Sequence, residues 1–162
     1  MDNEIETATE LLSHCRSEHL TIGTAESCTG GLIATLITSV PGASDVFRGT
    51  VVSYATDVKQ SVLQVPAEIL DTQGPVCLDC AIAMAKGVRE LLKTDWAVSV
   101  TGFAGPAGGN ENDPVGTVYF GIASPSHTRG CRQIFAGDRE EVRKRAAQYA
   151  LRFLLHEILN QP

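Results

Sequence analysis

The hydrophobic pattern of this sequence changes from strand-like to helix-like around Ser27, and this change limits the folds that are possible. Residues 20–25 (LTIGTA) contain β-branched side chains and no charge, which predicts a short buried strand. Residues 32–37 (LIATLI) predict an apolar helix. A turn that contains Gly30 and Gly31 joins the two elements. A strand that runs into a helix through such a turn places the Ser27 hydroxyl at the strand end.

Three roles for Ser27 stay open at this point: nucleophile, helix N-cap and phosphate ligand. The N–H groups in the first turn of a helix have no partner within the helix, so they face any anion placed there. The rest of the chain has to decide among these roles.

The size of the chain predicts a single domain over residues 1–162. Its 162 residues are enough to bury a core, and 43% hydrophobic with 20% charged residues is ordinary for a globular protein. No apolar run approaches the roughly 20 residues that cross a bilayer. The first six residues are acidic, unlike a signal or transit peptide, so a cytoplasmic protein without membrane contact is expected.

The charge distribution argues against a nucleic-acid-binding surface. The net charge is −6, and no cluster of Lys and Arg offers the basic patch that DNA or RNA requires. An acidic protein can still bind a phosphorylated metabolite where a few cations and backbone amides converge.

The five cysteines favour reduced thiols, because their number is odd and no secretory signal is present. Cys77 and Cys80 form a C-x-x-C pair, but no second pair or suitably spaced histidine completes a zinc site. Packing at the start of a helix is the favoured interpretation of this pair, ahead of a metal or redox role.

The hydrophobic periodicity and the positions of turn-forming residues predict a single three-layer α/β/α domain with a mixed sheet. The first helix is expected to have Asp2 as its cap, and the last to open with a capping box at Asp138. The last two strands are expected to form an antiparallel pair. The predicted helices cover residues 2–18, 32–38, 56–63, 66–71, 78–92 and 138–159; the predicted strands cover residues 20–25, 46–54, 96–101, 115–123 and 129–136.

Lys59 is the best candidate for a base that activates Ser27. It is predicted to lie in the first turn of a short helix with Thr56 as its N-cap, and both a helix N terminus and burial lower the pKa of a lysine. None of the four histidines falls at a predicted strand end, so a Ser-His-Asp triad has no evident base. The alternative for Lys59 is a solvated surface lysine.

Known glycine motifs do not account for the two glycine-rich turns, at residues 27–31 and 101–109. Neither matches a P-loop, and the spacing in the second does not fit G-x-G-x-x-G. Ser27 is not flanked by the glycines of a G-x-S-x-G elbow.

Several segments together resemble the CinA C-terminal domain family across residues 5–158. They are residues 24–31 (TAESCTGG), 40–42 (VPG), 49–54 (GTVVSY) with Lys59, 100–106 (VTGFAGP), 114–118 (PVGTV) and 136–139 (AGDR). The enzyme of that family hydrolyses the carboxamide of nicotinamide mononucleotide, which gives nicotinate mononucleotide and ammonia. Larger family members carry an additional N-terminal domain, so the resemblance is to the stand-alone form.

The resemblance implies that Ser27 is the nucleophile, Lys59 its base and Tyr54 an assisting residue, with no metal or organic cofactor. The oxyanion donors are expected from the turn at residues 28–31 or from the turn at residues 101–102. The phosphate is expected to bind two arginines of the last helix together with the loop at residues 105–109. The alternative for the arginines is an exposed charged helix face. The expected substrate-binding residues are Thr29, Gly30, Gly31, Thr101, Gly102, Gly105, Arg139 and Arg143.

The sequence also departs from the family pattern. Residues 73–77 (QGPVC) stand where His-Gly-Ala-Val-Ser is common, Thr50 where a glycine is usual, and residues 55–58 (ATDV) where Ser-Asn-Glu-Ala is common. These departures leave room for altered substrate choice, or for a paralogue that binds a nucleotide as a sensor without turnover. The competence-linked name of the family suggests a third function, an accessory protein of DNA uptake or repair. A small domain with apolar stripes on its terminal helices also makes a homodimer the expected assembly.

Overall fold

The computed structural model describes residues 2–161, with side chains from residue 4 onward. Within this described part of the chain, six helices and five strands follow one another in the predicted order, with one additional 3-10 turn at Ala43–Asp45. The helices are α1 (Asp2–Ser17), α2 (Leu32–Thr38), α3 (Thr56–Ser61), α4 (Ala67–Thr72), α5 (Leu78–Leu92) and α6 (Arg139–Leu159); the strands are β1 (Ile22–Glu26), β2 (Phe47–Val52), β3 (Trp96–Gly102), β4 (Thr117–Ala123) and β5 (Thr128–Ile134).

The five strands form one mixed sheet in the order β2-β1-β3-β4-β5. β1 is parallel to both of its neighbours, whereas β4 is antiparallel to β3 and to β5. All residues of β1 are buried, which agrees with its central place and with the uncharged sequence up to Ala25. The carboxyl ends of β1, β2 and β3 therefore meet along one edge of the sheet.

Helices cover both faces of the sheet, as predicted for a three-layer domain. One hydrophobic cluster packs α1, α2 and α6 against the sheet, through residues such as Leu11, Ile33 and Leu151. A second packs α5 and the segment around α4 against the other face, through residues such as Met84 and Leu63. The single three-layer α/β/α fold with a mixed sheet is confirmed.

Most element boundaries agree with the sequence prediction, and the differences have local causes. α5 spans the predicted residues, and Asp138 forms the expected capping box with Glu141. The predicted cap at Thr56 is wrong, because Thr56 is the first residue of α3 and Ala55 holds the cap position without a side-chain bond. The cap predicted at Asp2 lies outside the described side chains.

Within the described residues 2–161, no helix combines the length and the apolar character that a membrane crossing requires.

Gly87 lets α5 approach the segment that follows α3. A Cβ at this position would lie 1.9 Å from the Leu63 carbonyl oxygen. The same segment returns to α3 through the Val65 N–H, which donates to the Lys59 carbonyl at 3.1 Å. The absence of a side chain at Gly87 therefore helps to seat the helix that carries Lys59.

We expect Gly87→Ala to lower the free energy of unfolding by about 1–3 kcal/mol through overpacking. This loss should outweigh the better helix propensity of alanine, which is worth about 1 kcal/mol. Urea denaturation measures the effect, with Glu90→Ala on the exposed face of the same helix as a control that should stay within about 0.5 kcal/mol. A Gly87→Ala protein as stable as the wild type would contradict the close approach.

Candidate active site

Ser27 and Lys59 meet where β1 and β2 end. The Lys59 Nζ lies 2.9 Å from the Ser27 Oγ, 2.5 Å from the Ser53 carbonyl oxygen and 3.5 Å from the Tyr54 carbonyl oxygen. Ser27 directly follows β1, and Ser53 follows β2, which is parallel to β1. Parallel strands thus bring the hydroxyl and the amine together, although Ser27 and Lys59 are 32 positions apart in sequence.

Burial lowers the pKa of the Lys59 amine below the ordinary 10.5, with smaller opposing contributions from the nearby Cys80 and Cys28 thiols. Only 2% of the Lys59 surface is exposed, so the surface-lysine alternative is wrong. The predicted first-turn position is also wrong, because α3 is short and Lys59 falls in its last turn. Burial rather than the helix terminus therefore favours the neutral amine.

The N terminus of α2 is occupied by a side chain of the protein itself. The fully buried Glu26 carboxylate accepts hydrogen bonds from the backbone N–H groups of Gly31, Ile33 and Ala34 at 3.0–3.1 Å. It also accepts one from the Thr29 hydroxyl at 2.7 Å. The expectation that these N–H groups face a bound anion is therefore wrong.

Backbone conformation and one arginine fix the turn that carries Ser27. Gly30 and Gly31 have φ angles of 60° and 106°, in the left-handed region that glycine adopts most readily. Arg143 donates from Nε to the Cys28 carbonyl at 2.9 Å and from Nη2 to the Thr29 carbonyl at 3.1 Å. The turn is thus held against α6.

Arg139 links two other segments beside the site. Its Nη1 donates to the Gly105 carbonyl at 2.7 Å and its Nη2 to the Tyr54 hydroxyl at 3.0 Å. Tyr54 is 62% exposed, so its hydroxyl and the arginine face the solvent side of the site. The predicted phosphate ligands Arg139 and Arg143 therefore both lie near the Ser27 turn, and both already bind protein oxygens.

Thr101 and Gly102 lie at the end of β3, beside Ser27. The Thr101 hydroxyl donates to the Pro75 carbonyl at 2.7 Å. The Phe103 N–H donates to the Thr117 carbonyl in β4 at 2.9 Å, and the N–H groups of an antiparallel strand alternate in direction. The Gly102 N–H consequently points away from β4, towards the side where the Ser27 N–H donates to the Val100 carbonyl at 3.0 Å.

Comparison with known proteins agrees with this architecture. The model of the family described as the CinA C-terminal domain matches residues 4–158. The chain belongs to the CinA family. Because the match covers nearly all of the described residues, the site above is part of a CinA domain.

Relatives of this CinA domain are both longer proteins and proteins of its own size. It is 41% identical over 160 residues to a "Putative competence-damage inducible protein" of Moorella thermoacetica, covering 99% of this chain and 38% of that one. It is 43% identical over 145 residues to a "CinA-like protein" of Pseudothermotoga lettingae, covering 90% and 36%. The chain thus spans less than two fifths of the length of these curated relatives.

Solved structures match the whole domain. The competence damage-inducible protein A of Klebsiella pneumoniae superposes with a TM-score of 0.94 at 33% identity, covering 98% of this chain and 99% of that one. The competence/damage inducible protein of Agrobacterium tumefaciens superposes with a TM-score of 0.93 at 35% identity, covering 98% and 96%.

The cysteine pair of this CinA domain serves as a helix start. The Cys77 Sγ accepts a hydrogen bond from the Cys80 backbone N–H at 3.3 Å, in the N-cap position of α5. Burial raises the pKa of both thiols, that of Cys80 to about 12, which disfavours the reactive thiolate. No metal-binding group of three or more His, Cys, Asp or Glu exists among the described residues. Packing at a helix start is confirmed.

Two residues of the site were missed by the sequence analysis. Ser53 contributes a backbone carbonyl, which leaves no trace in a sequence pattern. Glu26 did leave a trace, because it is the one charged residue in the buried strand β1 and it directly precedes Ser27. When a buried strand ends in a carboxylate directly before a glycine-rich turn, that carboxylate is expected to have a structural or catalytic role.

Proposed function

We propose that this CinA-family domain is a serine amidase that hydrolyses the carboxamide of nicotinamide mononucleotide to nicotinate mononucleotide and ammonia. The observation that carries the proposal is the 2.9 Å contact between the Ser27 Oγ and the buried Lys59 Nζ. A hydroxyl beside an amine with a lowered pKa is the arrangement that a Ser/Lys nucleophilic mechanism requires.

The reaction begins with proton transfer from the Ser27 hydroxyl to the neutral Lys59 amine. The Ser27 Oγ forms a bond to the carboxamide carbon, and the carbonyl oxygen takes up the negative charge. The Gly102 N–H, which is directed to this side of β3, is our candidate oxyanion donor.

Collapse of the tetrahedral intermediate breaks the carbon–nitrogen bond. The Lys59 ammonium returns its proton to the leaving nitrogen, which departs as ammonia and leaves an acyl ester on Ser27. Water then attacks the ester while Lys59 again accepts a proton, and Ser27 is released with nicotinate mononucleotide. All proton transfers run through one amine.

The carbonyls of Ser53 and Tyr54 support this cycle, because they accept hydrogen bonds from the Lys59 Nζ. They hold the amine towards Ser27 and stabilise its charged form once the proton has moved. The Tyr54 hydroxyl, held by Arg139 at 3.0 Å, assists at the solvent side of the site.

The phosphate of the substrate would bind at the solvent side, near Arg139 and Arg143. A planar guanidinium has more donors than the two that each arginine uses on protein oxygens. Nicotinamide riboside, which lacks the phosphate, should therefore be a poorer substrate than the mononucleotide.

Incubation of the purified protein with nicotinamide mononucleotide tests the function directly. We expect ammonia and nicotinate mononucleotide in equal amounts, and calorimetry on the same sample reports binding. Binding without ammonia release would contradict the amidase and favour a nucleotide sensor. DNA binding, with neither ammonia release nor binding of the mononucleotide, would favour an accessory protein of DNA uptake or repair.

The pH dependence of kcat/KM should have an acid limb that reports Lys59. Only the neutral amine accepts the Ser27 proton, so the rate should rise with pH through the pKa of Lys59 and then level off. Because burial lowers that pKa, the midpoint should lie below the 10.5 of an ordinary lysine. A pH-rate profile at saturating and at low substrate measures it, and a rate that falls across the same range would contradict a lysine base.

A further inference from the structure

We propose that Glu26 is a positioning residue that holds the Ser27 turn in its reactive geometry and closes the N terminus of α2 to the anionic part of the substrate. This inference rests on the proposed role of Ser27 as the nucleophile. It assigns a task to a buried carboxylate that the mechanism itself does not use.

The Glu26 carboxylate accepts five hydrogen bonds, from donors in the Ser27 turn, at the start of α2 and in β2. Oε1 accepts from Thr29 Oγ1 at 2.7 Å, Gly31 N at 3.1 Å and Ile33 N at 3.0 Å; Oε2 accepts from Ala34 N at 3.1 Å and Thr50 Oγ1 at 3.3 Å. Three of these donors are N–H groups of the α2 N terminus or the residue before it. The carboxylate therefore takes the place that a bound anion would otherwise fill at a helix start.

The main chain of Glu26 connects the Ser27 turn to the segment that binds the base, Lys59. Its carbonyl accepts from the Ser53 N–H at 2.8 Å, and the Ser53 carbonyl in turn accepts from the Lys59 Nζ. On the other side, Ser27 is fixed by its N–H to the Val100 carbonyl and by its carbonyl to the Gly30 N–H. One residue thus connects the segments that carry the nucleophile and the base.

Two consequences follow for the reaction. A displaced Ser27 turn would lose the near-attack geometry of the hydroxyl, which lowers the rate of attack more than the affinity for substrate. A second anion at the α2 N terminus would have to displace a buried carboxylate and would meet its like charge. The substrate phosphate is therefore directed to the arginines on the solvent side.

The test measures the reactivity of Ser27 without requiring the substrate. Phenylmethanesulfonyl fluoride transfers its sulfonyl group to an activated serine and loses fluoride with the serine proton, and intact-mass analysis gives the labelling rate. Ser27→Ala establishes that the label sits on Ser27. We expect Glu26→Gln to label about 10- to 100-fold more slowly, because the side-chain NH2 group would face the Ala34 N–H donor.

Asp95→Asn is the matched control for a lost carboxylate. Asp95 Oδ2 accepts from the Thr21 N–H at 2.8 Å and the Thr21 hydroxyl at 3.0 Å, at the opposite end of β1 from Ser27. The Asp95→Asn protein should be less stable than the wild type but should label at Ser27 at the wild-type rate. Thr29→Val removes one hydrogen bond to Glu26 and should slow labelling, whereas Thr29→Ser keeps the hydroxyl and should label at the wild-type rate. These two variants test the role of Glu26 even if the Glu26→Gln protein does not fold.

The ammonia assay measures the effects of the substitution on kcat and on KM separately. Glu26→Gln should lower kcat with little change in KM for nicotinamide mononucleotide. Labelling of Glu26→Gln and Thr29→Val at the wild-type rate would overturn this inference alone. Failure of the wild-type protein to label at Ser27 would overturn the nucleophile and this inference with it, whereas labelling without ammonia release would overturn only the proposed substrate.

Discussion

Ser27→Ala is expected to lower kcat for ammonia release by at least about 10³-fold, because no acyl ester can form without the Oγ. Ser27 is a small buried residue, and Lys59 keeps its bonds to the Ser53 and Tyr54 carbonyls when the hydroxyl is gone. The fold should therefore survive. Ammonia release from nicotinamide mononucleotide measures the loss, and thermal unfolding checks the structure.

Ser124→Ala is the matched control for this substitution. Ser124 is also a buried serine, and its hydroxyl donates to the His127 carbonyl at 3.4 Å, in the loop that follows β4. Its loss should leave kcat unchanged. Ammonia release at the wild-type rate by Ser27→Ala would contradict the mechanism outright.

Lys59→Met is expected to lower kcat by about 10²- to 10⁴-fold, which is the usual contribution of a general base. Methionine has a similar length and no amine, so the cavity around position 59 stays filled. Lys86→Met, on the exposed face of α5, is the control that should keep full activity. A Lys59→Met protein with wild-type kcat would exclude Lys59 as the base.

The same substitution should also change how stability depends on pH. Between its lowered folded-state pKa and the ordinary value near 10.5, Lys59 binds fewer protons in the folded protein than in the unfolded chain. Wild-type stability should therefore rise with pH across this window and level off above it. Lys59→Met should lose this rise and should be at least as stable as the wild type at neutral pH. Urea denaturation across this range measures the difference.

The fold was predictable because its elements are long or strongly patterned. α5 has a continuous apolar face bounded by a Gly-Pro break, and its bounds were predicted to the residue. The capping box of α6 depends on two side chains three residues apart, which a sequence displays directly. The six-residue α3 was less well predicted, since a helix of fewer than two turns has too few positions to define its start.

The site was only partly predictable, since its geometry depends on which strand ends meet. The turn around Ser27 and the unusual Lys59 stood out in the sequence. Nothing local indicated that these two side chains, 32 positions apart, form a 2.9 Å contact. Glu26 was overlooked because a single carboxylate in a strand has no periodicity. The carbonyl partners of Arg139 and Arg143 likewise depend on tertiary packing alone.

The most direct test of the Ser27–Lys59 amidase is partitioning of its acyl ester between water and hydroxylamine. During turnover of nicotinamide mononucleotide, we expect added hydroxylamine to convert part of the carboxylate product into the hydroxamate of the mononucleotide. If formation of the acyl ester limits the rate, ammonia release should not accelerate. The absence of ammonia, or ammonia with the carboxylate as the sole product at every hydroxylamine concentration, would contradict an acyl ester on Ser27.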